Sequence, residues 1–68
     1  MIVTNRVREY RKAMNLTQEN LADLLGISRQ TVIAIENNKY NPSLELALRI
    51  GKLFNRPLEE IFSLPVNN

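Results

Sequence analysis

Apolar residues recur at helical spacing in successive stretches of this chain, each opened or closed by a polar punctuation residue. Val7, Tyr10 and Met14 stand at i, i+3 and i+7, one stripe of a helix expected over residues 5–14. Thr4 or Asn5 is its cap, and Arg6, Arg8, Glu9, Arg11 and Lys12 cover its other faces. Asn15 ends it, because Asn tolerates the left-handed conformation, and Leu16 then plugs the core. Leu21, Ala22, Leu24 and Leu25 give the buried face of a second helix over residues 18–25. Thr17 caps that helix by accepting from the N–H of Glu19 or Asn20. Gly26, Ile27 and Ser28 form a tight turn, in which glycine takes a positive φ without a Cβ penalty.

Ser28 caps a third helix over residues 29–37. Val32 and Ile35 face its core side, and Arg29, Gln30, Ile33, Ala34 and Asn37 face outward. A polar loop follows, Asn38-Lys39-Tyr40-Asn41-Pro42, where the proline keeps Asn41 non-helical. Ser43 caps a fourth helix over residues 44–54, striped by Leu46, Ile50 and Leu53 with Ala47 and Phe54 beside them. Pro57 opens a short fifth helix, where its missing N–H costs nothing, and Leu58, Ile61 and Phe62 follow at i, i+3 and i+4. The apolar ends, Ile2-Val3 and residues 64–66, are expected to pair as a small two-stranded sheet. No repeat, low-complexity tract or linker interrupts the pattern. The expected architecture is a single all-α domain over residues 1–68, and the sharp pair of helices over residues 17–37 is its centre.

Composition narrows what such a domain can do. A chain of 68 residues buries only ~60% of the surface its unfolded form exposes, so a partner would help stabilise it. There is no Cys, hence no disulfide, thiolate metal site or redox switch, and no His, the commonest general base and metal ligand. With both absent an enzyme is not expected, nor is a cofactor, a metal or a small-molecule ligand. No apolar run approaches the ~18 residues a membrane span needs. The first residues lack the apolar core of a signal peptide, so a cytoplasmic location is the expectation. The net charge of +2 and pI of about 9.4 permit a nucleic-acid partner without demanding one.

Several stretches then stand together: Arg11, L-T-Q-E-N-L-A (Leu16 to Ala22), G-I-S-R-Q-T-V (Gly26 to Val32), I-E-N (Ile35 to Asn37) and N-P-S-L (Asn41 to Leu44). With these separations the chain resembles the phage-repressor/Cro-like helix-turn-helix family, also called XRE, over roughly residues 7–62. The resemblance implies a five-helix lambda-repressor-like DNA-binding fold, often homodimeric. It also implies that the third helix enters the major groove of double-stranded DNA while the second braces it. In similar proteins an arginine of the first helix pairs with a glutamate at the end of the third, which here falls on Arg11 and Glu36.

The family's groove-facing positions fall on Ser28, Arg29, Gln30, Ile33, Ala34 and Asn37. Arg29 can donate two parallel hydrogen bonds to guanine, Gln30 can pair with adenine, and Ile33 or Ala34 can meet a thymine methyl. Each has a plainer reading: a solvated or phosphate-bound Arg29, a solvated first-turn Gln30, a core-flanking Ile33. Phosphate contacts are expected from Gln18, Asn37, Lys39, Tyr40 and Asn41, with Tyr40 alternatively packing under its loop and Lys39 an ordinary surface charge. Gln18 sits at a helix N-terminus, where free N–H groups favour an anion, and its side chain is expected to touch the third helix and order Gln30. Leu58, Ile61, Phe62, Leu64 and Val66 are the candidate dimer interface, against a competing role in the core. The resulting expectation is a homodimeric repressor reading a near-palindromic operator. The alternatives are an antitoxin or accessory controller that binds a partner protein, and an interaction module that kept the fold without DNA binding.

Overall fold

The computed structural model describes residues 3–65. In chain order the elements are β1 (Thr4–Asn5), α1 (Val7–Ala13), α2 (Gln18–Leu25), α3 (Arg29–Glu36), α4 (Leu44–Phe54), α5 (Leu58–Ile61) and β2 (Phe62–Ser63). The helices surround one core. Leu21, Ile35, Ile50, Ile61, Val7 and Val32 are its fully buried side chains, so every helix contributes at least one. Their spacing is the reason: residues three and four apart share a helix face, and each helix turns that face inward.

Local chemistry sets most boundaries. Thr17, Ser28 and Ser43 each sit in extended backbone and accept the N–H three residues on, at 2.9, 3.1 and 3.1 Å. At Thr17 the cap is reciprocal, because Asn20 Oδ1 also accepts from the Thr17 N–H at 3.2 Å. The ends of α1, α2, α3 and α4 share one device. A left-handed residue (Asn15, Gly26, Asn38 or Asn55) reverses the chain. The next N–H then reaches back to close the last turn: Leu16 to Arg11, Ile27 to Ala22, Lys39 to Ala34 and Arg56 to Gly51, all between 2.8 and 3.1 Å.

Three expectations are corrected. The first helix starts at Val7, not at residue 5, because Arg6 N–H is drawn to Ile61 C=O at 2.8 Å and Asn5 belongs to a strand. Asn5 still serves the helix start, since its Oδ1 accepts from Val7 N–H at 3.0 Å. The sheet exists, but three of its four residues are polar. Thr4 stands opposite Ser63 and Asn5 opposite Phe62, antiparallel, while Val3 and Leu64 only flank it and Ile2 and Val66 lie outside the described residues. Leu24 is exposed, at 56%. At about 100° per residue it falls beyond the arc spanned by Leu21, Ala22 and Leu25.

One close approach was not expected from the sequence. Gly51 is buried in α4, and a Cβ there would meet Leu58 Cδ2 at 3.0 Å and the Arg56 carbonyl at 3.3 Å. The missing side chain lets α5 fold back tightly onto α4.

Candidate nucleic-acid interface

The α2–α3 unit is built by its turn. Gly26, at φ +70°, ends α2, and Ser28 at once caps α3 through Thr31 N–H. The short connection fixes the angle between the helices. Val32 and Ile35 anchor α3 in the core, each about 1% exposed. The opposite face then projects from the body. Ser28, Arg29 and Gln30 are exposed at its first turn, and Ile33 and Ala34 are half-buried further along. Among the described residues the Arg29 and Gln30 side chains make no hydrogen bond or ion pair, so their donors are available to a partner. The Ser28 hydroxyl, by contrast, already accepts from Thr31 N–H and lies 2.9 Å from the Thr31 hydroxyl.

One buried carboxylate gathers several of the contacts that hold the far end of α3. The Glu36 side chain is fully buried. Arg11 grips it with two donors, Nε to Oε2 at 2.6 Å and Nη2 to Oε1 at 3.3 Å. Gln18 Nε2 donates to Oε1 at 3.1 Å, and Arg8 Nε reaches the same oxygen at 3.4 Å. Arg11 also donates Nη1 to the Leu16 carbonyl at 2.8 Å. One acid thereby gathers donors from α1 and α2 onto α3. Burial pushes the Glu36 carboxyl pKa up, but the hydrogen bonds from Arg11 and Gln18, the Arg11 charge and the Arg8 hydrogen bond outweigh it and hold it below the ordinary glutamate value. Among the described residues no buried side-chain nitrogen or oxygen lacks a partner.

Gln18 therefore orders Glu36 and not Gln30, because the buried carboxylate is the stronger acceptor within its reach. Gln18 also lines an open hollow at the start of α2 with Arg11, Thr17, Glu19 and Arg29. Sequence reasoning left Arg8 as a surface charge. It reaches Glu36 and also donates to Asn37 Oδ1 at 3.0 Å. Its place three residues before Arg11, on the same helix face, was the available signal. Asn37 and Lys39 are exposed past the end of α3. Tyr40 is 47% exposed and shares a shallow hollow with Gln30, Thr31 and Ala34. Asn41 is exposed, and its Oδ1 accepts from Val3 N–H at 3.1 Å.

The expected dimer contacts separate. Ile61 is fully buried in the monomer core and is corrected out of any interface. Its i, i+3 relation to Leu58 turns it inward, where its carbonyl also takes the Arg6 N–H. Leu58 and Phe62 are half-buried, Leu64 is 70% exposed, and Val66 lies outside the described residues. Leu44 and Leu48, which the sequence reading did not single out, are 72% and 50% exposed one turn apart on α4.

A small core, a tight helix-turn-helix and an unpartnered polar face on its second helix define a DNA-binding module. Residues 7–61 match the family described as Helix-turn-helix, and the chain belongs to that family, in its phage-repressor-like, XRE-type branch. It is 57% identical over 58 residues to an uncharacterised HTH-type transcriptional regulator of Methanocaldococcus jannaschii, covering 85% of this chain and 88% of the relative. It is 28% identical over 60 residues to the cryptic phage CTXphi transcriptional repressor RstR of Vibrio cholerae, covering 88% of this chain and 54% of that one. Among solved structures, the restriction-modification controller protein C.AhdI of Aeromonas hydrophila superimposes with a TM-score of 0.71 at 35% identity, over 79% of this chain and 82% of that one. The chain is a DNA-binding transcriptional regulator and not an enzyme. No helix among the described residues is long and apolar enough to cross a membrane.

Proposed function

We propose that residues 1–68 act as one cytoplasmic domain, a homodimeric repressor that reads a near-palindromic operator through α3. The observation that carries the reading is the division of α3 into two faces. Val32, Ile35 and Glu36 hold it to the body, and Arg29 and Gln30 stand exposed with no partner among the described residues. Nothing in the fold requires those two side chains.

In this reading the first turn of α3 enters the major groove. Arg29 donates to guanine O6 and N7, and Gln30 pairs with adenine N6 and N7, each good bidentate contact giving about 1–3 kcal/mol of discrimination. Ala34 and the exposed edge of Ile33 meet thymine methyls, and Ser28 contacts a base edge or the adjoining sugar-phosphate with the hydroxyl capacity its cap leaves. Gln18, Asn37, Lys39, Tyr40 and Asn41 flank this face and contact phosphates, which orient the protein without reading sequence. Arg11 and Glu36 form the structural pair that keeps α3 in place. Two copies joined through the α4–α5 side, with Leu44, Leu48, Leu58, Phe62 and Leu64 in the seam, place two α3 helices in successive grooves about 34 Å apart.

Footprinting on genomic fragments, beginning with DNA upstream of the protein's own gene, tests this. The expected result is protection of two half-sites one helical turn apart. Binding with no preference over bulk DNA at low salt would overturn it. Arg29→Ala is expected to weaken operator binding more than non-specific binding, and equal losses would reduce Arg29 to a phosphate contact.

A further inference from the structure

Residues 3–8 carry none of the groove-facing groups, yet they tie down the far end of α3 and the loop that follows it. Val3 N–H donates to Asn41 Oδ1, as described above. Asn5 Nδ2 donates to the Ile35 carbonyl at 2.7 Å and to Asn38 Oδ1 at 3.1 Å. Arg8 holds Asn37 and Glu36. The other edge of the same segment is strapped to β2, with Thr4 opposite Ser63 and Asn5 opposite Phe62.

Asn5 joins the α3 tie to the strap on β2. Its backbone lies in the sheet, its amide nitrogen holds the last turn of α3 and the left-handed residue after it, and its amide oxygen caps α1. A single primary amide supplies both donors and the acceptor. Aspartate lacks the donors, serine lacks the reach, and glutamine is one methylene longer. The Ile35 carbonyl already accepts from Asn38 N–H at 3.0 Å, so the Asn5 bond is an added, long-range one.

We infer that Asn5 is a positioning residue for DNA reading: it locks the C-terminal end of α3 to the terminal sheet and so sets the angle at which Arg29 and Gln30 meet the bases. This deepens the proposed function and rests on α3 being the reading helix. An eight-residue helix is roughly 12 Å long. A looseness of roughly 1 Å at its far end tilts it enough to move the reading end by a similar distance, which bidentate hydrogen bonds do not tolerate. Phosphate contacts from long exposed side chains follow such a tilt more easily. Loss of the tie therefore falls on sequence discrimination before it falls on DNA binding as such.

The test uses the full chain with Asn5→Ser, which is uncharged and keeps a cap acceptor for α1 but cannot reach Ile35. A second variant, Asn38→Gly, keeps the left-handed backbone and removes one of the two acceptors. Binding is measured to the footprinted operator and to a scrambled duplex of equal length, at one salt concentration, well below each variant's melting temperature. Asn5→Ser is expected to lose roughly ten-fold in operator affinity while the scrambled duplex changes by less than about two-fold. Asn38→Gly is expected to lose less, in the same ratio. Parallel losses on both duplexes, or a lowered melting temperature with the wild-type ratio kept, would make Asn5 merely structural. If Asn5→Ser does not fold, a wild-type ratio in Asn38→Gly overturns the inference. A second readout needs no DNA. Backbone amides of Asn37, Asn38 and Lys39 should exchange faster in Asn5→Ser while those of α2 stay protected, and unchanged exchange would sink the positioning role. Failure of the wild-type protein to prefer any operator would instead count against the proposed function.

Discussion

Among the described residues, Glu36 is the side chain on which the most donors converge, and disturbing it is costly. Two of its partners, Arg11 and Gln18, have little else within reach to neutralise or accept from them at that depth. Glu36→Gln removes the charge and leaves the Arg11 guanidinium buried without a counter-ion. The expected loss is about 3–5 kcal/mol, read as a fall in denaturant midpoint. A change under ~1 kcal/mol would mean the pair behaves as an exposed one. The lowered carboxyl pKa also sets the direction with pH. In the unfolded chain Glu36 protonates first as pH falls, so the unfolded state binds the extra proton and folding stability drops. The contribution is fully present above the ordinary glutamate value and is lost as pH falls from there through the lowered folded value. Melting temperatures of wild type and Glu36→Gln should therefore converge only at acid pH. A gap that stays constant to the acid end of the folded range would contradict this.

At the scale of elements, the α2–α3 turn is legible in the sequence because its determinants are local. Thr17, Gly26 and Ser28 announce their own backbone conformations, and the α2 and α4 boundaries follow the caps to the residue. Gly26→Ala forces a Cβ into the left-handed region, where the side chain meets only Arg49 Nη2 at 3.8 Å. The cost is thus conformational, about 1–2 kcal/mol, with no clash added, and a thermal melt should show it without loss of helix content. What local signals did not carry was any contact between distant elements. The sheet register, the Arg8 and Asn5 hydrogen bonds, and the inward turn of Ile61 all depend on how α1, α3 and α5 are set against each other. Periodicity is silent on that, and it misled at Leu24, which continues an apolar run past the edge of the buried arc. The pairing of Arg11 with Glu36 entered the sequence reading through family resemblance, since 25 residues separate the partners. Charge at this scale has its own consequence. Residues 17–37 hold one cation, Arg29, against Glu19, Asp23 and Glu36, and Glu36 is buried against Arg11. Few cations are left to displace counterions, so a modest dependence of operator affinity on salt is expected. A slope matching roughly ten or more phosphates per dimer would refute it.

For the whole molecule, the question is what covers the α4–α5 side. Leu44 and Leu48 are exposed on it, and Leu58 is half-buried where α5 folds back over Gly51. A domain this small gains much from burying such a surface. Leu48→Glu, at a half-exposed position, should leave the monomer fold intact while shifting sedimentation from a two-chain to a one-chain mass and weakening operator binding. A wild-type protein that sediments as one chain at every concentration would remove the dimer from the account. The separation of duties within α3 reaches further still. The Arg29 and Gln30 side chains make no hydrogen bond or ion pair among the described residues, and the buried Glu36 lattice that holds the helix contains neither of them. Mutations at Arg29 and Gln30 are therefore free to change the recognised sequence with little effect on folding, so new specificities can arise in descendants of this chain, or be grafted onto it, without a compensating change elsewhere.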